Sequence, residues 1–428
     1  MRLYLLNNYS AMENKKNAIV LGGTVPHVTL IVKLKERGFY VILLDYLDNP
    51  PAKQYADEHL KVSTLDKELV LNIAKERKAD IVISTCVDQA NSVCCYVAEK
   101  LNLPHPYSYQ VSLDVTDKVR MKSIMIENKV PTSRYVYVRN IEEALNQDLE
   151  YPLMVKPADS NSANGVKKVK DIDELKEYLP IALNYSRNGF AIVEEFVSGV
   201  EISAYCVIVN NKAKLLMAQE RISVIEGEEN TIKCYAAYAP ARISSIAMGK
   251  IEGIATQIAR AFHLDNTPLF FQGIVSNDNI NVIEFAPRVG GGISSKTIKY
   301  STGFDIIDAA IDSFFCIPIT FSNWHSMDKI YVVNQIYGSN GYYDRTIGEK
   351  ELLEDGTIDN LSFYKKKGDY IDDKRASSGR IGVMVFSATS EKEVRKKVSK
   401  AFSCIDCIDK DGKSIIRRDL NIDNLWNA

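Results

Sequence analysis

Short apolar runs separated by polar turns organise the first hundred residues. Residues 18–21 form a buried-strand run, Gly22-Gly23-Thr24 a turn, Pro26 a helix opener, and residues 40–45 a second strand. A helix at about 66–77 and a strand at 81–84 extend the alternation, predicting a small open parallel α/β domain over about 18–113. Asp88, Gln89 and Asn91 follow that last strand, at the sheet edge where a substrate can lie; they can equally just begin the next helix.

After Leu113 the pattern changes. Thr116 is expected to cap a helix carrying Lys118, Met121, Ile124 and Met125 that ends before Val130-Pro131-Thr132. Residues 151–156 read as a strand stopped by Pro157, and the small polar residues 158–165 as a loop able to fold over phosphates. Residues 190–193 form another apolar strand, interrupted at Glu194-Glu195-Phe196-Val197, and strands at 202–209 and 214–219 turn at Asn210-Asn211. Ala247, Ile251, Ile254, Ala255, Ile258 and Phe262 share one helical face, which predicts a core helix. The last hundred residues hold strands near 330–337 and 381–387 and a helix opened by a Ser390-to-Glu393 capping box; the charged run 364–374 reads as a solvated loop.

Chemistry concentrates in residues 269–296. The β-rich runs 270–276 and 280–285 flank Asn277-Asp278-Asn279, which has the composition of a tight hairpin loop. A three-residue loop pairs Ser276 with Ile280 and sets Gln272 opposite Glu284, with Cβ atoms about 5 Å apart, close enough to hold one or two small cations. An amide and a carboxylate are hard oxygen ligands that suit magnesium better than zinc. Arg288 follows, then Gly290-Gly291-Gly292, whose amides can approach an anion unobstructed. Metal, arginine and glycine turn suggest phosphate chemistry, although an ordinary hairpin and a flexible loop would carry the same residues.

Composition narrows the field. The chain of 428 residues, 46% hydrophobic, is long enough for two or three globular domains. A net charge of -2 offers no footprint for nucleic acid or an anionic membrane, so a small molecule is the expected partner. No apolar run approaches the roughly 18 residues of a membrane span, and no secretory h-region is seen, so a cytoplasmic protein is expected, with residues 1–17 as a mobile leader. The eight cysteines are scattered in apolar runs as reduced thiols, and Cys404 and Cys407 lack the second pair that a zinc site needs. A dinucleotide site at Gly22-Gly23 is disfavoured because the GxGxxG spacing is missing.

Taken in order, TDK with Lys118, VKP with Lys156, the small-residue loop, EEFVSGVE from Glu194, Q(x11)ExxxR from Gln272 and the glycine triplet resemble the ATP-grasp enzymes. The likeness is to dipeptide-forming L-amino-acid ligases and to the synthetase unit of carbamoyl-phosphate synthase. It implies an α/β and α+β architecture: a Rossmann-like domain at 18–115, an ATP-grasp domain of two α+β subdomains clamping ATP at 116–325, and an α+β lobe at 326–428.

The resemblance also implies roles. Lys118 and Lys156 would contact the α- and β-phosphates, and Ser160, Ser162 and Gly165 would belong to a mobile flap over them. Glu194, Glu195 and Val197 would form the hinge whose backbone reads adenine, and Glu201 would take the ribose hydroxyls. Gln272 and Glu284 would hold Mg2+, for which Mn2+ can substitute, and Arg288 would steady the transferred phosphoryl group. Gly290, Gly291, Gly292 and Lys296 would border the acceptor pocket. One departure is Ala286, where the family usually has an asparagine that supplies a metal oxygen.

The implied reaction is ATP- and Mg-dependent joining of a small-molecule carboxylate to an amine through an acyl phosphate, releasing ADP and phosphate, in an enzyme that can be a homodimer. Two alternatives stay open. One is a bicarbonate-phosphorylating enzyme of the carbamoyl-phosphate-synthase or biotin-carboxylase type; the other is an ATP-binding regulatory protein without turnover.

Overall fold

A computed structural model describes residues 16–159, 165–227 and 231–423. Most of the expected leader, and Ser160 and Ser162 of the expected flap, lie outside the described residues.

The first sheet is parallel, in the order β3-β2-β1-β4, with β1 at Asn17–Leu21, β2 at Tyr40–Asp45, β3 at Glu58–Lys61 and β4 at Ala79–Ile83. Its central strands are apolar on both faces because helices cover both, as in other parallel sheets. β3 was not anticipated: its sequence, EHLK, alternates too briefly to signal a strand. Pro26 sits in the first turn of the helix Val25–Glu36, where its missing N–H costs nothing. That helix ties this sheet to a later part of the chain, since Lys33 pairs with Asp305 and Asp308, and Arg37 with Asp308 and Asp312.

Two helices, Tyr109–Thr116 and Lys118–Glu127, stand where one was expected. Thr116 ends the first, and Asp117 caps the second by accepting from the N–H groups of Val119 and Arg120. A carboxylate is the stronger cap at a helix N-terminus, which corrects the assignment to Thr116.

An antiparallel sheet follows in the order β5-β8-β6-β7, with β5 at Tyr135–Val138, β6 at Leu153–Pro157, β7 at Lys167–Val169 and β8 at Ala191–Glu195. Its buried face, including Leu153, Val155 and Val193, packs against Leu175, Leu179 and Ala182 of the helix Ile172–Tyr185. Glu194 and Glu195 do not interrupt β8 but are paired within it.

The largest sheet has eight strands in the order β13-β12-β9-β10-β11-β14-β18-β16. Its members are β9 at Val200–Val209, β10 at Lys212–Glu226, β11 at Thr231–Ala239, β12 at Thr267–Ser276, β13 at Asn279–Ala286, β14 at Ile330–Tyr337, β16 at Asn360–Phe363 and β18 at Arg380–Ala388. The pairing of β11 with β14 carries this sheet without a break across residue 326. The helix Ser245–Ala261 buries Ile251, Ile254, Ala255 and Ile258 against Ala204, Phe271 and Phe285. Its apolar stripe is the one expected from periodicity. A small sheet of β15 (Gly341–Ile347), β17 (Tyr370–Ile371) and β19 (Asp406–Asp409) closes the C-terminal part, beside the helix Glu391–Cys404 with Ser390 as its cap.

Candidate active site

The hairpin β12-β13 places Gln272 opposite Glu284, but not by the expected route. The loop has two residues, Asn277 and Asp278, both with positive φ, so Ser276 pairs with Asn279 rather than Ile280. Positive φ at both central positions suits the tight turn that matches strand twist. A bulge then leaves Ile283 as an extra residue in β13, and this one-residue shift restores the Gln272–Glu284 pair.

The same register builds a polar row across four strands. Gln219 pairs with Ser203, Ser203 with Gln272, and Gln272 with Glu284. Two residues along, the next row on the same face is aromatic and apolar: Tyr205 pairs with Phe270, and Phe270 with Ala286. Ala286 is thus buried at the end of an apolar row, which accounts locally for a residue without an oxygen there.

Across a narrow crevice from Glu284 lies a group of lysines. Lys118, Met121 and Lys122 of the helix Lys118–Glu127, Lys156 of β6, Ile192 of β8, and Ile283 and Glu284 of β13 line it together. Lys118 and Lys122 are one helical turn apart and share a face. Lys156 and Glu194 are diagonal neighbours on β6 and β8, and Lys156 Nζ donates to Glu194 Oε1 at 2.6 Å. Lys122 Nζ lies 2.8 Å from Glu194 Oε2 and donates to Thr132 Oγ1 at 2.9 Å. One buried carboxylate therefore holds two ammonium groups, one on each oxygen.

The electrostatics follow from this packing. Burial pushes the Glu194 carboxyl up, but Lys156 and Lys122 outweigh it and bring it down to about 2. Burial lowers the Lys118 and Lys122 ammonium pKa values, with Glu284 and Glu194 respectively opposing the shift. The crevice is a desolvated cationic surface facing one carboxylate. A polyanion fits it.

The donor set also fits a hard cation, in one particular way. Glu284 and Gln272 supply oxygens on one row, but no cluster of three His, Cys, Asp or Glu residues able to hold a metal occurs among the described residues. Such a set suits Mg2+ shared with phosphate oxygens and waters better than a cage of protein ligands.

The remaining expected residues are spread around this centre. Glu195 faces Arg134, 3.2 Å away, and its N–H donates to the Arg134 carbonyl. Phe196 N–H donates to the Pro152 carbonyl, while Val197, just past the strand, donates to none of the described residues. Glu201 accepts from Arg221 Nε at 2.6 Å. Gly165 has a φ of +71° and packs so closely on Pro157 that a Cβ would lie 2.8 Å from it, so this end of the loop is closed to larger residues.

Of the glycine run, Gly292 lines a different cleft together with Lys296, whereas Gly290 packs against Tyr205 and Gly291 is not among the residues lining it. A Cβ on Gly290 would sit 2.5 Å from the Tyr205 ring, so glycine is required there for close approach. Lys296 shares its cleft with Val25 and Pro26 of the helix Val25–Glu36, Ile293, Ser362 and Tyr364. Tyr364, expected from the charged run to lie in a solvated loop, is instead half-buried and lines this cleft. Arg288 stands in sequence between Glu284 and the glycine run and is gripped by Asp88. Lys122 went unnoticed in the sequence, although its place one turn after Lys118 was a usable signal.

A family model for the D-ala D-ala ligase C-terminus matches residues 124–266. Formate-dependent phosphoribosylglycinamide formyltransferase of Ignicoccus hospitalis is 26% identical over 192 residues, covering 43% of this chain and 47% of the relative. The chain spans about half the length of the first curated relatives it matches. L-amino acid ligase from Bacillus licheniformis superposes with a TM-score of 0.77 at 19% identity, covering 92% of this chain and 99% of that one. Phosphoribosylglycinamide synthetase from Anaerococcus prevotii gives 0.76 at 19%, covering 93% and 100%. The fold is ATP-grasp.

Proposed function

We propose that this ATP-grasp chain is a carboxylate-amine ligase that uses Mg-ATP and releases ADP and phosphate. The observation that carries the reading is the convergence of Lys118, Lys122, Lys156 and Glu284 on one crevice, with Gln272 directly opposite Glu284.

In this reading Lys118 and Lys156 neutralise the α- and β-phosphates, and Lys122 with Glu194 keeps Lys156 aimed. Val197 and its neighbours receive the adenine, and Glu201 the ribose. The loop containing Ser160, Ser162 and Gly165 covers the phosphates. When bound at Gln272 and Glu284, Mg2+ would draw charge from the phosphate oxygens. A carboxylate oxygen of the first substrate attacks the γ-phosphorus, its bond to ADP breaks, and Arg288 steadies the phosphoryl group in transfer. The amine then attacks the carbonyl carbon, the C–N bond forms, and phosphate departs as the amine loses its proton. Positioning and charge neutralisation supply the rate, as phosphoryl transfer requires.

The substrates are small molecules bound between the crevice and the Lys296 cleft. ATP supply makes the cytoplasm the working compartment, and a homodimer is the assembly to look for by light scattering. No helix among the described residues is long and apolar enough to cross a membrane.

The test is ADP release with Mg-ATP across amino acids, amines, hydroxy acids and bicarbonate, run beside Glu284→Gln. Release that needs a carboxylate and an amine, and that fails in the variant, supports the ligase. Release with bicarbonate alone favours a bicarbonate-phosphorylating enzyme. Mg-ATP binding with uniform silence favours a binding protein, the reading to which Ala286 lends weight.

A further inference from the structure

We propose that Asp88 is the positioning residue for Arg288, holding the guanidinium so that an end-on pair of N–H groups faces the anion in the site. Asp88 opens the helix Asp88–Leu101, directly after the carboxyl edge of the parallel sheet, and lies 200 residues from Arg288 in sequence. Its two carboxylate oxygens accept from Arg288 Nε and Nη2, both at 2.6 Å. Arg288 Nη1 donates to the Val289 carbonyl at 2.9 Å. The centroid of the Phe270 ring lies 4.9 Å from the guanidinium carbon, and Phe270 stands two residues along its strand from Gln272, on the same face.

A guanidinium has five N–H donors in a fixed plane. Three are engaged by Asp88 and Val289, and no other bond to Arg288 exists among the described residues. Two donors remain, one on each terminal nitrogen, and such a pair can grip two oxygens of a phosphate or carboxylate. A long side chain left unheld would have to be ordered by the anion itself; Asp88 and Phe270 order it in advance. The Asp88 side chain keeps 33% of its exposure and that of Arg288 keeps 11%, so the pair lies at an opening rather than sealed in a core.

The inference rests on the ligase reading for Arg288's partner, and its test separates the two. Calorimetry on the full chain measures Mg-ADP binding first, then inorganic phosphate binding to the Mg-ADP complex. Wild type is expected to bind both. Asp88→Ala and Asp88→Asn are expected to keep Mg-ADP affinity and to weaken phosphate by about ten-fold. In an Arg288→Ala background, Asp88→Ala should then cost nothing further, because a residue acting through another loses its effect when that other is gone.

Absence of Mg-ADP binding in wild type would overturn the nucleotide reading, and this inference with it. Mg-ADP binding without phosphate binding in wild type, unchanged phosphate affinity in both Asp88 variants, or additive losses in the double variant would overturn the inference alone. So would loss of Mg-ADP binding in both Asp88 variants, which would mark Asp88 as a structural residue.

Discussion

The lysine crevice and the Lys296 cleft hold their cations differently. In the crevice, Lys122 and Lys156 share the Glu194 carboxylate, and regular elements fix all three side chains. In the cleft, Lys296 reaches only the Ser362 hydroxyl, at 3.3 Å, and has no carboxylate in ion-pair range among the described residues. Burial without a compensating charge lowers its pKa. The cleft walls come from the first helix, the glycine loop and the C-terminal part. Cations anchored by a shared carboxylate are ordered before any ligand arrives, whereas Lys296 keeps a charge that no carboxylate among the described residues compensates.

The largest effect expected from separating these regions is on turnover. Glu284→Gln should lower ADP release by about a thousand-fold while leaving the far-UV circular dichroism unchanged. Comparable loss of structure in that variant would remove Glu284 from the chemistry.

Next in size is a stability contrast. Glu194→Gln strands two buried ammonium groups and should cost about 3 kcal/mol, read as a lower urea midpoint. Lys296→Met strands nothing and should stay within about 0.5 kcal/mol of wild type. Equal losses would erase the distinction between a preassembled and an open site.

Acid should separate the regions by pH window. Glu194, held down at about 2, contributes stability that is complete above its ordinary pKa of 4.5 and is lost as pH falls toward 2. His27 shares its helix with Val25 and Pro26 of the cleft and is lowered to about 4 by burial, against a bond through the Leu21 backbone. The unfolded chain protonates this imidazole first, so stability falls between pH 6.5 and 4, by up to about 1.4 kcal/mol per pH unit. His27→Gln should flatten that slope in urea titrations and leave the lower window intact.

The architecture was legible wherever periodicity was strong and local, as in the first parallel strands and the helix Ser245–Ala261. Much of the crevice was legible too, because Lys118, Lys156 and Glu284, with Gln272 paired to Glu284, sit on regular elements in short motifs. The hairpin shows how far this reaches: the pair was identified through a loop one residue too long, and an unreadable bulge compensated. What stayed hidden was long-range or chemically disguised. Asp88 meets Arg288 across the chain, Lys122 is a charge on the inner face of a helix, and Tyr364 lies in a run whose charge suggested solvent.

The smallest expected effect concerns the acceptor. Lys296→Ala should raise the KM for one organic substrate by about ten-fold, with the KM for Mg-ATP unchanged in coupled ADP assays. A rise in the nucleotide KM instead would join the two regions into one.

The central claim is that a substrate carboxylate is phosphorylated, and the most direct measurement follows its oxygen. With an 18O-labelled carboxylate that supports ADP release, the account predicts that mass spectrometry finds a labelled oxygen in the inorganic phosphate released. Unlabelled phosphate accompanying ADP would contradict it.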